Sequence, residues 1–361
     1  MHTGRITPEL LRRRPVQVML VLCGLALALA AATAVVVVGQ GRARHGGYHY
    51  VRLEVGGDSY QYLVFVPASY RGAANVPLVV VLHGCSTSAS QQAVASGYAQ
   101  VAEQRGFIVL YPDVDAADLA HGGCWKGIWD PGAEGQGRGD AGAIAAMTRE
   151  VVGTWRIDPG RVYVIGISAG GFESSILGAS YPDVYAAIGI HSGAAYTRVE
   201  LGCLAEGVSP STTATLAHAA LGAMAAHARA IPVIVFHGDQ DEVVPYRCGE
   251  QALHQWLDTD NLVLEREHRA PVLGRRAAVR QSVVPRGRTY TVVSYPDGQG
   301  CAVAQFWTIH GMGHAWSGGS SDPSVSRYVD PRGPSAAAAS SSFFLRWRLS
   351  GAVGPCARRE R

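Results

Sequence analysis

Lysine is almost missing from these 361 residues; Lys126 stands among arginines, a coding bias without functional content. A dominant charge sign is missing as well. The 31 basic and 28 acidic side chains leave a net charge of +3, too weak a balance to hold a nucleic acid, so no nucleic-acid partner is expected. The arginines cluster only at 12–14, at 266–288 and in the last few residues, and the 266–288 stretch reads as a solvated, irregular loop. No Cys-x-x-Cys spacing occurs, which argues against a zinc site. Internal repeats and an appended binding module are also not found.

What is present begins with an apolar run. Arg12, Arg13 and Arg14 precede Val16–Val38, long enough to cross a hydrocarbon core of about 30 Å. Basic residues ahead of the run place residues 1–15 in the cytoplasm and the rest outside it. Ala32-Thr33-Ala34 has the form of a signal-peptide cleavage site, but Val35–Val38 continue the apolar run, which favours an uncleaved anchor at 16–38. Either way the protein is expected to be extracytoplasmic, membrane-anchored or secreted, with a Gly/Arg-rich linker at 39–49, one folded unit at 50–350 and a basic tail at 351–361.

Export makes the cysteines readable. Cys23 lies within the apolar run, without the small residues that precede a lipid-attachment site. Cys85, Cys124, Cys203, Cys248, Cys301 and Cys356 form an even set for an oxidising compartment, where disulfides are the expectation.

At 48% hydrophobic content the chain can bury one large α/β core. Tyr50–Val55 and Tyr60–Val66 flank Gly56-Gly57-Asp58 as a hairpin. Pro77–Leu82 and Phe107–Tyr111 are continuous apolar runs, as strands covered on both faces require. Between them Ser90–Arg105 is helix-forming. Asp113–Gly139 is a long Gly/Asp/Trp loop, and Asp140 is expected to N-cap the helix that follows. Val162–Ile165, Ala186–Ile190, Ile231–Phe236, Thr289–Tyr295 and Val303–Ile309 continue the strands, and Ser341–Leu349 reads as a closing helix. Leu201–Arg229 is an Ala-rich insertion positioned to cap a site. Strands alternating with helices predict an α/β fold with a mostly parallel central sheet and helices on both faces.

One stretch carries chemistry. Gly166-Ile167-Ser168-Ala169-Gly170 joins a strand to a helix, and its glycines permit the tight turn that holds a serine hydroxyl out for attack. Such a serine needs an acid and then a histidine on loops after later strands. Ile231–Phe236 runs into His237-Gly238-Asp239-Gln240-Asp241, and Val303–Ile309 into His310-Gly311-Met312-Gly313-His314. Spacing leaves Asp239 against Asp241, and His310 against His314, undecided. An oxyanion needs two backbone donors: Ala169, which follows the nucleophile, and a residue of the loop His83-Gly84-Cys85. Trp125, Trp129 and Trp316 are candidates for lining a substrate pocket. His191 and His237 read as structural.

From about Tyr60 to Trp347 the chain resembles the polyhydroxybutyrate depolymerase family of secreted serine esterases, relatives of feruloyl and acetylxylan esterases. The resemblance rests on Leu82-His83-Gly84-Cys85, Leu110-Tyr111-Pro112, Cys124-Trp125, the stretch Tyr163–Gly171, Tyr181-Pro182-Asp183-Val184-Tyr185, His237-Gly238 with Asp241 and Val244-Pro245, and Gly311-Met312-Gly313-His314-Ala315-Trp316. It implies an α/β-hydrolase fold, a Ser168–His314–Asp241 triad, Cys85 and Ala169 as oxyanion donors, a Cys85–Cys124 disulfide, an ester substrate, and no metal or organic cofactor. Cys248 is then expected to pair with Cys301, since each lies beside a catalytic strand. The family usually has Trp-Pro-Gly-Gly after the histidine, whereas Trp316 here precedes Ser317-Gly318-Gly319. The implied activity is hydrolysis of short hydroxyalkanoate esters. A feruloyl or acetylxylan esterase, and a non-catalytic envelope-binding protein with the same fold, are the alternatives.

Overall fold

A computed structural model describes residues 46–120, 122–198, 203–204, 213–269, 278–297 and 300–352. The basic N-terminal segment, the apolar run expected to anchor the chain, most of the linker and the basic tail lie outside the described residues. Among the described residues no helix is long and apolar enough to cross a membrane.

The fold starts with the expected hairpin, β1 (Gly47–Val55) and β2 (Asp58–Val66), turned by Gly56 and Gly57 at φ 64° and 100°. Positive φ at both central residues matches the twist of the flanking strands and suits glycine. The remaining strands of the main sheet are β3 (Val76–Leu82), β4 (Ile108–Asp115), β5 (Ile157–Ile167), β6 (Ala187–His191), β7 (Val233–Gly238), β8 (Ala278–Val283), β9 (Thr289–Pro296) and β10 (Ala302–Ile309). Their order is β1-β2-β4-β3-β5-β6-β7-β10-β9-β8. The six strands from β4 to β10 in that order are parallel neighbours, with antiparallel pairs at both ends of the sheet. Leu78 to Leu82 are each 0% exposed, so both faces of β3 are covered, and each such side chain contributes roughly 1.5–3 kcal/mol.

The helices are α1 (Ala89–Ser96), α2 (Tyr98–Arg105), α3 (Ala116–Ala120), α4 (Gly139–Thr154), α5 (Ala169–Ser180), α6 (Thr213–Met224), α7 (Tyr246–Arg266) and α8 (Ala336–Phe344). The helix-forming run 90–105 divides into α1 and α2 because Gly97 takes φ 72°. Asp140 does not cap α4. Arg138 holds the cap position, and Asp140, in the first turn, accepts the Lys126 N–H at 2.7 Å and faces the Tyr60 hydroxyl. The insertion expected to cap the site contains α6, whose Leu216, Ala217, Ala220, Leu221 and Met224 are buried as it packs on α5 and α7. It is a helix of the covering layer. The stretch expected to be irregular at 266–288 contains β8, paired antiparallel with β9. This edge strand is exposed along nearly its whole length, so it carries no apolar alternation to betray it. The closing helix lies earlier than its aromatic pattern suggests. Ser335 accepts the Ala338 N–H at 3.2 Å and starts α8 there, and Trp347 already belongs to a two-residue strand.

Candidate active site

β5 delivers Ser168 at φ 58° and ψ −123°, a strained backbone position for a non-glycine residue. Close approach explains its glycines. A Cβ at Gly166 would stand 2.3 Å from the Gly170 backbone, and one at Gly170 2.5 Å from the His83 carbonyl oxygen. The Ser168 N–H donates to the His191 carbonyl at 2.9 Å, and the Ser168 carbonyl accepts from Gly171 and Phe172 as α5 begins.

The loop after β3 lies against this turn. A Cβ at Gly84 would meet the Ser168 Cβ at 3.3 Å. Its carbonyls are held away: the Trp125 Nε1–H donates to the His83 oxygen at 2.9 Å and the Thr87 hydroxyl to the Gly84 oxygen at 2.7 Å. Cys85 is bonded to Cys124, as the resemblance implies, and Ser86 N–H donates to Gly122 O at 2.7 Å. Among the described residues the Cys85 and Ala169 amides have no acceptor. These are the two expected oxyanion donors.

Asp241 follows β7 with its carboxylate fully buried. Oδ1 accepts the N–H groups of Val243 and Val244 at 3.1 and 2.9 Å, and Oδ2 accepts from His314 Nδ1 at 2.9 Å. Burial pushes this carboxyl upward, but the His314 hydrogen bond and charge and the Val244 amide outweigh it and hold it below the ordinary range. His314, half-buried, thus has its tautomer set with the proton on Nδ1 and Nε2 left for a substrate or the serine. No hydrogen bond joins Ser168 to His314 in this structure, a looseness common to ligand-free sites.

The alternative pair is also bonded. His310 Nδ1 lies 2.9 Å from Asp239 Oδ2, but its Nε2 is taken by the Thr291 hydroxyl at 2.9 Å. That leaves His314 as the histidine with a free nitrogen.

His191 and His237 are buried, as the sequence suggests. His191 ties two parts of the site together, its carbonyl accepting from Ser168 and its Nε2 from the Ser317 N–H at 3.0 Å. Burial, with the like charges of His237 and His314, pushes it down to about 3, so the ring stays neutral and acts as a spacer. Nothing beyond its place at the end of β6 signals this in the sequence. His237 Nε2 lies 2.8 Å from the Val244 carbonyl and 3.5 Å from Asp241 Oδ2, bracing the acid loop.

The tryptophans separate. Trp125 and Trp316 do not line a pocket, since both are 0% exposed. Trp125 packs on His83, while Trp316 stacks on His191 at 4.9 Å and donates to the Ser96 carbonyl. They support the loops from beneath. Trp129, 74% exposed, is the one of the three that is open to a ligand.

The second disulfide corrects the expected pairing. Cys248, in the first turn of α7, is bonded to Cys203, and Cys301 is disulfide-bonded elsewhere. Cys203, Cys248, Phe172, Ala194 and Val244 form a small apolar cluster beside the acid loop, which places the insertion's cysteine near Cys248.

Two acidic clusters lie behind the site. Asp115, Asp118 and Asp140 converge, and the Lys126 ammonium sits 2.8 Å from Asp115 and 2.9 Å from Asp118, supplying the counter-charge. Deeper, Glu173 of α5 is 0% exposed and neither carboxyl oxygen has a hydrogen-bond partner. Gly127 makes room for it, since a Cβ there would fall 2.5 Å from Glu173 Oε2. Its neighbour Glu134 accepts the Ala141 N–H at 2.8 Å. Burial first, then the charges of Glu134 and Asp140, push Glu173 well up, while burial and Asp140 bring Glu134 to about 7 against the pull of its amide donors.

Comparison with known proteins gives the family and the fold. The family model described as "Esterase PHB depolymerase" matches residues 60–278. Feruloyl esterase B of Neurospora crassa is 30% identical over 63% of this chain and 75% of its own length. Poly(3-hydroxyalkanoate) depolymerase C of Paucimonas lemoignei is 29% identical over 67% of this chain and 55% of its own, so the match spans about half of that protein. Among solved structures, acetyl xylan esterase from Aspergillus awamori superposes with a TM-score of 0.59 at 22% identity, covering 74% of this chain and 94% of that one. That likeness speaks for the fold, an α/β-hydrolase. With the family model matching more than half of its length, this chain belongs to the esterase PHB depolymerase family and is a carboxylic ester hydrolase.

Proposed function

We propose that the protein is an extracytoplasmic serine esterase with Ser168, His314 and Asp241 as its triad. The observation that carries this is the Asp241–His314 hydrogen bond at 2.9 Å, at the same end of the sheet as a serine on a strained strand-to-helix turn. The Ser168 hydroxyl attacks the ester carbonyl as His314 Nε2 takes its proton. The Cys85 and Ala169 amides receive the oxyanion, and His314 returns the proton to the departing alcohol. Water, deprotonated by the same nitrogen, then adds to the acyl-serine, and collapse releases the acid and restores the hydroxyl.

The proposed substrates are short hydroxyalkanoate esters of the polyhydroxybutyrate type, in keeping with the depolymerase relative. Feruloyl or acetylxylan esters form the second reading, favoured by the feruloyl esterase relative and by Trp129, whose exposed ring offers an aromatic surface. Two disulfides, Cys85–Cys124 and Cys203–Cys248, support placing the unit at 50–350 outside the cytoplasm. The apolar run at 16–38 would hold it at the membrane or direct its export.

A fluorophosphonate probe tests the triad. Wild type labels, and Ser168→Ala and His314→Ala do not; a folded wild type that stays unlabelled refutes it. Rates on short acyl, 3-hydroxybutyryl oligomer and feruloyl esters then decide the substrate class, and failure on all three sinks both readings.

A further inference from the structure

The loop carrying His314 is fastened to the loop carrying Asp241 by a second carboxylate–histidine pair. Asp239, immediately after β7, uses both carboxylate oxygens on the end of β10: Oδ1 accepts the Gly311 N–H at 2.7 Å and Oδ2 accepts from His310 Nδ1 at 2.9 Å. The backbones add to the seam, with Asp239 N–H donating to Ile309 O at 3.3 Å and Gln240 N–H to Met312 O at 3.0 Å. A Cβ at Gly238 would lie 2.1 Å from the Met312 oxygen, so the histidine loop rests directly on the end of β7.

The orientation of the His310 ring is fixed from its other side. The Asp239 carboxylate can only accept, so the ring proton faces it on Nδ1, and Nε2 takes the hydrogen bond of the Thr291 hydroxyl on neighbouring β9 at 2.9 Å. His310 N–H donates to the Thr289 carbonyl at 3.0 Å and Arg288 reaches the His310 carbonyl, so the start of this loop is held by β9, β7 and the arginine together. From there only four residues lead to His314. Between them Gly311 turns at φ 71°.

We propose that Asp239 and His310 are a positioning pair, which sets the placement of His314 over Ser168 without touching the substrate. The proposal rests on the triad reading above. His310 and Asp239 are partly exposed, with side-chain exposures of 38% and 30%, and a solvent-exposed pair of this kind contributes little to global stability. Its contribution is local: a histidine displaced by a fraction of an ångström from its serine loses proton-transfer efficiency long before the fold loosens. The outer face of the pair borders an open groove of about 500 Å³ lined by Gln281, Thr289, Tyr290 and Thr291, so solvent reaches it without passing the catalytic serine.

The test compares Asp239→Asn, His310→Ala and His310→Asn with wild type on a soluble p-nitrophenyl ester, recording kcat, KM and the melting temperature. His310→Asn keeps an N–H donor near the Nδ1 position. Expected are a fall in kcat of about tenfold for Asp239→Asn and His310→Ala with KM changed less than about twofold, melting temperatures within about 3 °C of wild type, and recovery of most of the loss in His310→Asn. The double variant Asp239→Asn with His310→Ala is expected to be no slower than the slower single one, because both remove one link. Wild-type kcat in both single variants overturns the proposal, as does a kcat loss matched by KM or by the fall in melting temperature. Should His310→Ala fail to fold, Asp239→Asn and His310→Asn decide alone. His314→Ala is run alongside: an active His314→Ala enzyme refutes the triad itself, whereas an inactive one with fully active Asp239→Asn and His310→Ala refutes only the positioning pair.

Discussion

Glu173 is an expensive residue to bury, and the cost depends on pH. Its carboxyl is 0% exposed with both oxygens unpartnered, and Glu134, 4% exposed, keeps Oε1 unpartnered beside it. In the unfolded chain both ionise near the ordinary glutamate value of about 4.5. In the fold Glu134 holds its proton until about 7, and Glu173 is raised well above its ordinary range. A raised folded value means that stability is fully present below the unfolded value and is lost as pH rises through the folded one. At about 1.4 kcal/mol per pH unit over roughly 2.5 units, Glu134 alone costs about 3 kcal/mol between pH 4.5 and 7. Glu173→Gln keeps the side-chain shape and removes one of the two ionisable carboxyls, so the pH-dependent loss from Glu173 disappears while that from Glu134 remains. Melting temperatures from pH 5 to pH 9 are therefore expected to start close together and then diverge, with the variant the higher above pH 7 by about 2–4 °C for each kcal/mol that Glu173 no longer costs. Curves that stay parallel across the range refute the reasoning.

The loop after β3 and the proposed triad allow sharper perturbations. Gly166→Ala places a Cβ 2.3 Å from the Gly170 backbone and is expected to abolish recovery of folded protein, read by soluble yield; normal yield and activity refute the close-approach argument. Gly84→Ala meets Ser168 at 3.3 Å, so the protein folds but kcat falls by about tenfold or more, measured with any soluble ester. Asp241→Asn leaves His314 without its orienting carboxylate and is expected to lower kcat by about 10³- to 10⁴-fold with little change in melting temperature. Cys124→Ser opens a 39-residue separation, costing about 4 kcal/mol in the chain-entropy model, and denaturant titration is expected to show it together with reduced kcat.

Much of this molecule is written in local pattern. The continuous apolar runs at 78–82 and 108–111 are central strands because nothing polar interrupts them, and the Gly56-Gly57 turn sits where two positive φ values are needed. What the sequence hides is mostly a matter of edges and partners. β8 is solvent-exposed on both faces, so no alternation marks it. Trp125 and Trp316 carry the same side chain as Trp129, yet two lie beneath the loops and one faces water, a difference decided by what packs against them. Cys203 meets Cys248 in a small cluster with Phe172, Ala194 and Val244, a tertiary contact that spacing does not encode. Glu173 lies in a stretch that reads as an ordinary helix, and only the absent side chain at Gly127 shows where its carboxyl goes.

The choice between Asp239 and Asp241 shows the limit most sharply. Each aspartate follows the same strand, each has a histidine on the facing loop, and both pairs form at 2.9 Å. Spacing fails to separate them because both pairings are real. They differ in what surrounds them. Asp241 is buried and takes two backbone amides, so its charge is fixed and shielded, and its histidine keeps one nitrogen open. Asp239 is partly exposed, and its histidine is closed off by Thr291. A base must have a nitrogen to offer, and a tether must not. On the proposed reading the two pairs divide the work by access, the inner one free to move a proton and the outer one holding the loop on which that proton transfer depends.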